Sequence, residues 1–310
     1  DRIAQMVVKD YIEPEFEKIF HENSYGYRPN RSAHDALQRV RENCWGYDWV
    51  IDLDIKGFFD NIDHELLMKA VDRHTGEKWV KMYITRWLNA PVEQTDGTII
   101  KKQGKGTPQG GVISPLLANL FLHYSLDKWL TKNYPNCPFV RYADDMIVHF
   151  SAKEEAEFML LEIKQRLKEC KLELSEAKTK IVYCKDYRRQ EKGNEIKFDF
   201  LGYSFQPRTK ISKFTGRPFL GFECGLSRKA RKKIIAEIRS FNVLKISTID
   251  IEQIALELNP KLRGWINYYG KFRRGELHKL FKVLTHRILK WVKKKFKITS
   301  VRKAFNWLKN

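Results

Sequence analysis

The chain lacks any apolar run approaching the roughly 18 residues of a membrane-spanning helix, so no membrane partner is expected for its 310 residues. Cysteine is sparse: Cys44, Cys137, Cys170, Cys184 and Cys224 are scattered and form no CxxC pair. An odd, unspaced set argues against a disulfide frame or a zinc site and for reduced thiols in a cytoplasm. The opening Asp1-Arg-Ile-Ala-Gln5 is neither a signal peptide nor an initiator methionine, and reads as a fragment. Acidic residues are scarce in one region only. Leu226–Asn310 holds 23 Lys and Arg against 5 Asp and Glu, whereas the preceding 225 residues hold 35 against 33. Nearly all of the formal charge of +20 therefore sits in the last quarter, where aromatics interleave with the cations. That asymmetry predicts a nucleic-acid-binding module, residues 226–310, appended to a near-neutral body, residues 1–225. A solvated basic surface is the simpler alternative.

With 43% hydrophobic residues the chain can bury a large core, in two domains. The stretch Phe139-Val-Arg-Tyr-Ala-Asp-Asp-Met-Ile-Val-His-Phe150 flanks two adjacent aspartates with strand-forming residues. It predicts a tight hairpin with Asp144 and Asp145 at its bend. Paired carboxylates are costly unless a cation neutralises them, and Mg²⁺ suits carboxylate, water and phosphate oxygens. A solvated Asp-Asp turn is the commoner occurrence of such a pair.

Trp49–Ile55 alternates, with Val50, Asp52 and Asp54 on one face and Ile51, Leu53 and Ile55 on the other, which predicts a half-buried strand. Residues 2–22 predict an amphipathic helix with Ile3, Val7, Tyr11 and Ile12 on its stripe and a new turn at Pro14. In Ser24-Tyr-Gly-Tyr-Arg-Pro-Asn-Arg-Ser, Ser32 is a candidate helix cap, while Arg28 and Arg31 offer phosphate donors beside Tyr25 and Tyr27. Gly76–Ala90 predicts a helix with Trp79, Met82, Tyr83 and Trp87 inward. Val92–Gln103 predicts a hairpin turned at Asp96-Gly97. In Gly104-Lys-Gly-Thr-Pro-Gln-Gly-Gly-Val-Ile-Ser-Pro115 the glycines permit close approach of backbone to a ligand. Ser114 as cap and Pro115 then open a helix whose N-terminus suits an anion. No GK[ST] follows, so this is not a Walker loop. The basic tail predicts a helix carrying Arg228, Lys229, Arg231, Lys232 and Lys233. A short helix around Ile249–Leu258 is expected to stop before Asn259-Pro260, and a third spans about Glu276–Lys297.

Tyr142-Ala143-Asp144-Asp145 resembles the YADD box of reverse transcriptases in its group II intron form. Asp54-Ile-Lys-Gly-Phe-Phe-Asp60 resembles the first catalytic box, and Pro108-Gln109-Gly110 the loop whose glutamine lies along the incoming nucleotide, all in family order. Phe200-Leu201-Gly202 resembles the primer-gripping hairpin. Lys261-Leu-Arg-Gly-Trp-Ile-Asn-Tyr-Tyr-Gly270 resembles the core of the maturase domain. The resemblance implies an α+β fold: right-hand polymerase palm and fingers on an antiparallel catalytic sheet, followed by an α-helical thumb, maturase domain X. The blocks in which the family keeps its N-terminal extension and first fingers strands are missing here, and no HNH-type cluster follows the thumb.

The resemblance also implies roles. Asp54, Asp144 and Asp145, with the backbone carbonyl of Ile55, would hold two Mg²⁺ ions, Mn²⁺ being a substitute. Phe59 would lie against the nucleotide sugar, although core packing alone explains a phenylalanine there. Pro108, Gln109 and Gly110 would line the nucleotide. Lys178 would stand near the triphosphate as proton donor, with Lys180 the competing register. Arg28, Arg31, Arg228, Lys229, Arg231, Lys232, Lys233, Arg263 and Lys271 would contact RNA. The implied partners are an RNA template and intron RNA, a DNA primer or target, and dNTPs, in a bacterial cytoplasm. The alternatives are a relative domesticated for CRISPR or defence, and an RNA-binding maturase with little polymerase activity.

Overall fold

Trp49–Leu53 is buried on both faces, with only Asp52 partly exposed, where alternation predicts one buried face. The computed structural model describes residues 2–93, 97–100, 103–108, 110–189, 191 and 193–308. They form two units, Asp1–Phe198 with Pro207–Phe222, and Asp199–Gln206 with Glu223–Asn310.

The first unit begins with α1 (Arg2–Glu17), α2 (Ala33–Gly46), β1 (Trp49–Leu53), α3 (Phe58–Asn61), α4 (His64–Asp72) and α5 (Lys78–Asn89). It continues through β2 (Val92–Glu93), β3 (Ile99–Ile100), α6 (Ser114–Leu122), a π-helical turn (His123–Asp127) and α7 (Lys128–Asn133). Then come β4 (Phe139–Tyr142), β5 (Asp145–Phe150), α8 (Lys153–Glu169), β6 (Lys180–Tyr183) and β7 (Phe198–Phe200). β7, β8 (Tyr203–Ile211) and β9 (Pro218–Leu226) each supply residues to both units and form a three-stranded sheet in that order.

The central sheet has the order β4-β5-β1-β6, antiparallel throughout. β1 pairs Leu53 with Met146 on one side and Asp52 with Lys180 on the other. Its Val50 and Ile51 are both fully buried.

Several helices bury a different face from the expected one. In α1 the core stripe is Val8, Ile12 and Phe16, while Ile3, Val7 and Tyr11 are exposed. Both sets repeat every four residues, so periodicity does not choose between them. Gln5, 8% exposed, accompanies the buried stripe and accepts a bond from the Val112 N–H at 2.7 Å. Pro14 lies within α1 and starts no new element. In α5 the buried residues are Val80, Ile84 and Leu88, and Trp79, Met82 and Tyr83 face outward. Ser32 caps α2 in a capping box with Asp35, and Asp63 caps α4. β2 pairs with β3 as the hairpin reading requires; Asp96 lies outside the described residues, and Gly97 has φ 83°.

The second unit is helical: α9 (Arg228–Ser240), a 3-10 turn (Asn242–Lys245), α10 (Ile251–Arg273), α11 (Gly275–Lys295) and α12 (Val301–Trp307). α10 runs straight through Pro260, where a stop was expected. Ile254 and Leu258 before the proline, and Leu262, Trp265, Ile266 and Tyr269 after it, all pack on one core with α9 and α11. Tertiary burial there outweighs the roughly 3 kcal/mol that an interior proline costs. Among the described residues no helix is long and apolar enough to cross a membrane.

Candidate active site

Asp54 follows the end of β1, and Asp144 forms the β4–β5 turn with Ala143. Because Leu53 pairs with Met146, the antiparallel register brings Asp54 to the end of the sheet that carries Asp144 and Asp145. Burial, then the like charge of Asp54, pushes the Asp144 carboxyl above its ordinary range. Asp145 begins β5 and is exposed. Among the described residues no group of three or more His, Cys, Asp or Glu side chains is placed so that it could hold a metal ion. The carboxylates of Asp54 and Asp144 and the exposed Asp145, at one end of the sheet, offer an open set of oxygen donors. Such a set suits a hard divalent cation that keeps water and takes phosphate oxygens as its remaining ligands.

Each aspartate is held by its main chain. The Asp54 carbonyl accepts the Ser175 N–H at 2.8 Å, and the Asp54 N–H donates to Thr179 Oγ1 at 3.3 Å. Ile55 bridges Leu174. The Ser175–Thr179 turn places the two candidate lysines differently. Lys178 lies in the turn and its Nζ donates to Asp54 Oδ2 at 3.2 Å. Lys180 instead begins β6, with its Nζ 4.0 Å from Glu195.

The Asp144 turn rests on a polar network that the motif gives no sign of. Ala143 has φ 56°, the left-handed region that costs a non-glycine residue about 1–2 kcal/mol. Its carbonyl accepts from Arg141 Nη1 at 2.9 Å. Arg141 is fully buried and forks onto Asp127, Nε to Oδ1 at 2.8 Å and Nη2 to Oδ2 at 2.5 Å. Nη1 also donates to Asn119 Oδ1 at 2.9 Å, and Asn119 Nδ2 donates to the Gly26 carbonyl at 2.7 Å. Asp127 closes the π-helical turn, a form of extra residue frequent at functional sites. Gly26 is required here: a Cβ on it would lie 2.3 Å from the Ala143 nitrogen.

The glycine-rich loop is bound to the segment after Asp54. The Thr107 N–H donates to the Phe59 carbonyl at 2.7 Å, and Gly106 N–H to Ile62 at 2.8 Å. A Cβ on Gly106 would meet the Asp60 carbonyl at 2.9 Å. Phe59 is half-buried and packs on the core edge to face with Phe58, so its packing role is real whatever else it does. Gln109 lies outside the described residues. Pro108 and Gly110 flank it, and the Pro108 carbonyl accepts the Ser114 hydroxyl at 2.8 Å. Ser114 is therefore the first residue of α6 and ties down the loop, rather than capping the helix. The N–H groups of Val112 and Ile113, just ahead of the helix, donate to Gln5 Oε1, a residue that no sequence pattern singles out.

The RNA candidates divide. Arg28 is committed to the fold: Nε and Nη2 bond Glu17, and Nη1 bonds the carbonyls of His21 and Ser24 at 2.7 Å each. With its side chain 5% exposed, it braces the loop and has no reach toward a phosphate. Arg31 is exposed over the Tyr25 ring. In the second unit α9 buries Ala230, Ile234 and Ile238 and leaves Arg228, Lys229, Lys232 and Lys233 exposed. Arg231 is half-buried, 3.7 Å from Glu276. Arg263 and Lys271 are exposed on α10. The same unit joins two motifs that the sequence keeps apart. The Leu201-Gly202 turn, with both φ positive, follows buried Phe200, and its Leu201 carbonyl accepts the Tyr268 hydroxyl at 2.8 Å. Tyr269 lies so close that a Cβ on Gly202 would come within 3.1 Å of its hydroxyl.

Comparison with known proteins gives the geometry a context. The family profile "Reverse transcriptase (RNA-dependent DNA polymerase)" matches residues 1–205, and "Group II intron, maturase-specific domain" matches residues 231–307. The group II intron-encoded protein LtrA of Lactococcus lactis subsp. cremoris is 29% identical, over 87% of this chain and 56% of its own length. Protein YkfC of Escherichia coli is 31% identical, over 60% of this chain and 58% of its own. The chain thus spans little more than half of these relatives. Among solved structures, a telomerase from Candida albicans superposes with a TM-score of 0.53 at 12% identity, covering 97% of this chain and 53% of that one. That likeness concerns the fold alone.

Proposed function

We propose, from the premise that this chain belongs to the reverse transcriptase (RNA-dependent DNA polymerase) family, that it is the RNA-directed DNA polymerase of a group II intron. It also binds intron RNA as a splicing maturase and for retrohoming. The observation that supports the reading is the arrival of Asp54 and Asp144 at one end of an antiparallel sheet, where burial, then the charge of Asp54, raises the Asp144 carboxyl.

Asp54, Asp144 and Asp145, with the Ile55 carbonyl, are the residues that would hold two Mg²⁺ ions, Mn²⁺ in substitution. The ions, when bound, activate the primer 3′-hydroxyl and neutralise the triphosphate and its leaving group. The remaining work of the chain is positioning. Phe59 carries the sugar, Pro108, Gln109 and Gly110 line the nucleotide, and Lys178, 71% exposed beside Asp54, can follow the phosphates and donate a proton to pyrophosphate. Phe200, Leu201 and Gly202 grip the primer. Exposed cations of α9 and α10 hold RNA through phosphates, as a helical thumb on an A-form duplex would. Residues 1–225 are then palm and fingers and 226–310 the thumb.

The test is single-nucleotide extension of a DNA primer on an RNA template with Mg²⁺. Asp54→Asn and Asp144→Asn should each lower the rate by ~10³ or more and leave RNA affinity nearly intact. Extension at near wild-type rate by either variant sinks the assignment.

A further inference from the structure

Three segments far apart in sequence meet in the first unit as a ring of three aromatic and two cationic side chains, closed through a backbone carbonyl. Lys210 Nζ lies 5.8 Å from the centre of the Trp45 ring and 6.0 Å from that of Phe219. Phe219 meets Tyr187 edge to face at 5.6 Å, and the Arg188 guanidinium lies 5.9 Å from the Tyr187 ring. Arg188 Nη2 closes the circuit on the Trp45 carbonyl at 2.9 Å. Arg41 lies over Trp45 at 4.6 Å. Trp45 is 39% and Tyr187 63% exposed, so two aromatic surfaces are presented to solvent on this ring.

The platform is rigid. Arg189 is buried beneath it and donates to the carbonyls of Cys44, Trp45 and Cys184 and to Asp48. The Tyr187 N–H is fixed on the Leu220 carbonyl at 3.0 Å. It is also remote from the aspartates. Cys184 and Asp48 join at the Trp49 end of β1, and five strand steps of ~3.3 Å separate that end from Asp54, ~17 Å in all.

We propose that this ring is a second nucleic-acid site, which takes a single-stranded segment by stacking bases on Trp45 and Tyr187 and by seating phosphates against Arg41, Arg188 and Lys210. Exposed rings interleaved with cations are the chemistry of sequence-tolerant single-strand binding. Duplex bases, already stacked, gain nothing there. Asp186 is engaged by Arg188 and Asp48 by Arg189. The choice of ligand class rests on the polymerase reading above. The test uses neither metal nor nucleotide, so the two readings fail separately.

Binding of fluorescein-labelled 20-mer oligo(rU) and oligo(dT) to the full chain is measured by anisotropy across a salt series, with poly-glutamate as control. Tyr187→Ala should weaken binding ~5-fold or more and Trp45→Ala/Tyr187→Ala more than ~10-fold, while Tyr187→Phe retains affinity. Lys210→Gln should flatten the slope of log K on log salt by ~0.7. The oligomer that loses more affinity identifies the strand, RNA or DNA, and either supports the site. Unchanged affinity in Tyr187→Ala, which removes a mostly exposed ring, overturns the proposal. So does an equal loss of poly-glutamate binding, which would reduce the ring to a general polyanion or acidic-protein surface.

Discussion

The guanidinium of Arg141 donates to the carbonyl of Ala143, 2.9 Å away, from a position with no solvent exposure. Ala143 is the left-handed residue of the turn that presents Asp144. The bond therefore couples the orientation of a carboxylate to an ion pair with Asp127 and, through Asn119, to the loop at Gly26. Arg141→Lys keeps the charge for Asp127 but loses the fork that reaches Ala143 and Asn119 together. The expected result is a fall in kcat of ~10–100-fold, with KM for dNTP changed less than ~3-fold and RNA affinity unchanged. Arg141→Met, which strands Asp127, should cost ~3–5 kcal/mol in denaturant unfolding. Loss of stability in Arg141→Lys without the kcat effect would make the network purely structural.

Phe59 packs on the core but remains half-buried beside the loop that carries Pro108 and Gly110. A ring beneath a deoxyribose leaves no room for a 2′-hydroxyl. Phe59→Ala should raise the ratio of rNTP to dNTP catalytic efficiencies ~10-fold or more, with a partial loss of stability from the vacated core edge. Single-turnover incorporation of matched rNTP and dNTP measures this. A constant ratio would assign Phe59 to packing alone.

The candidate carboxylates are legible in the sequence, and the side chains that hold them in place are not. Asp54 and Asp144–Asp145 stand out because carboxylates interrupt apolar strands. Arg141 interrupts the same strand, yet its partners lie 14 and 22 residues away, one of them in a π-helical turn. No local pattern encodes such a pairing. Lys178 and Lys180 are separated only by the Ser175–Thr179 turn, a tertiary clasp on Asp54. Arg28 looks available until Glu17 is folded against it. Periodicity in α1 and α5 offered two stripes each, and contacts made by other segments chose between them. The straight run of α10 through Pro260 is the converse case, where packing on both sides of the proline outweighs a strong local signal.

Burial drives the imidazoles of His149 and His123 down to about 4. His149 meets the backbone of Pro138 and Val40, Asn43 and Cys44 and, among the described residues, no charged group, while His123 also senses Asp127, Arg141, Lys128 and His74. Unfolded histidine titrates near 6.5. Stability from the neutral rings is thus complete above pH ~6.5 and is lost as pH falls toward 4, at up to ~1.4 kcal/mol per pH unit for each group. Urea midpoints at pH 7, 6 and 5 should decline, and His149→Gln should flatten the decline. An unchanged slope in that variant would show His149 to be protonated within the fold.

The cations of α9 differ in what they can contact. Arg228, Lys229 and Lys232 are exposed opposite the buried Ala230, Ile234 and Ile238, whereas Arg231 is drawn toward Glu276. Each phosphate contact removed lowers the slope of log K on log salt by ~0.7–0.9. Arg228→Ala/Lys229→Ala/Lys232→Ala should therefore weaken intron-RNA binding and flatten its salt dependence by ~2, while Arg231→Ala changes the slope by much less. Extension of a saturating primer–template should suffer less than RNA binding, since none of the three belongs to the carboxylate or nucleotide residues. Filter binding across a salt series, beside single-nucleotide extension, separates the outcomes. A slope unchanged by the triple substitution means that these side chains touch no phosphate, and equal loss of both activities means that α9 grips the primer duplex itself.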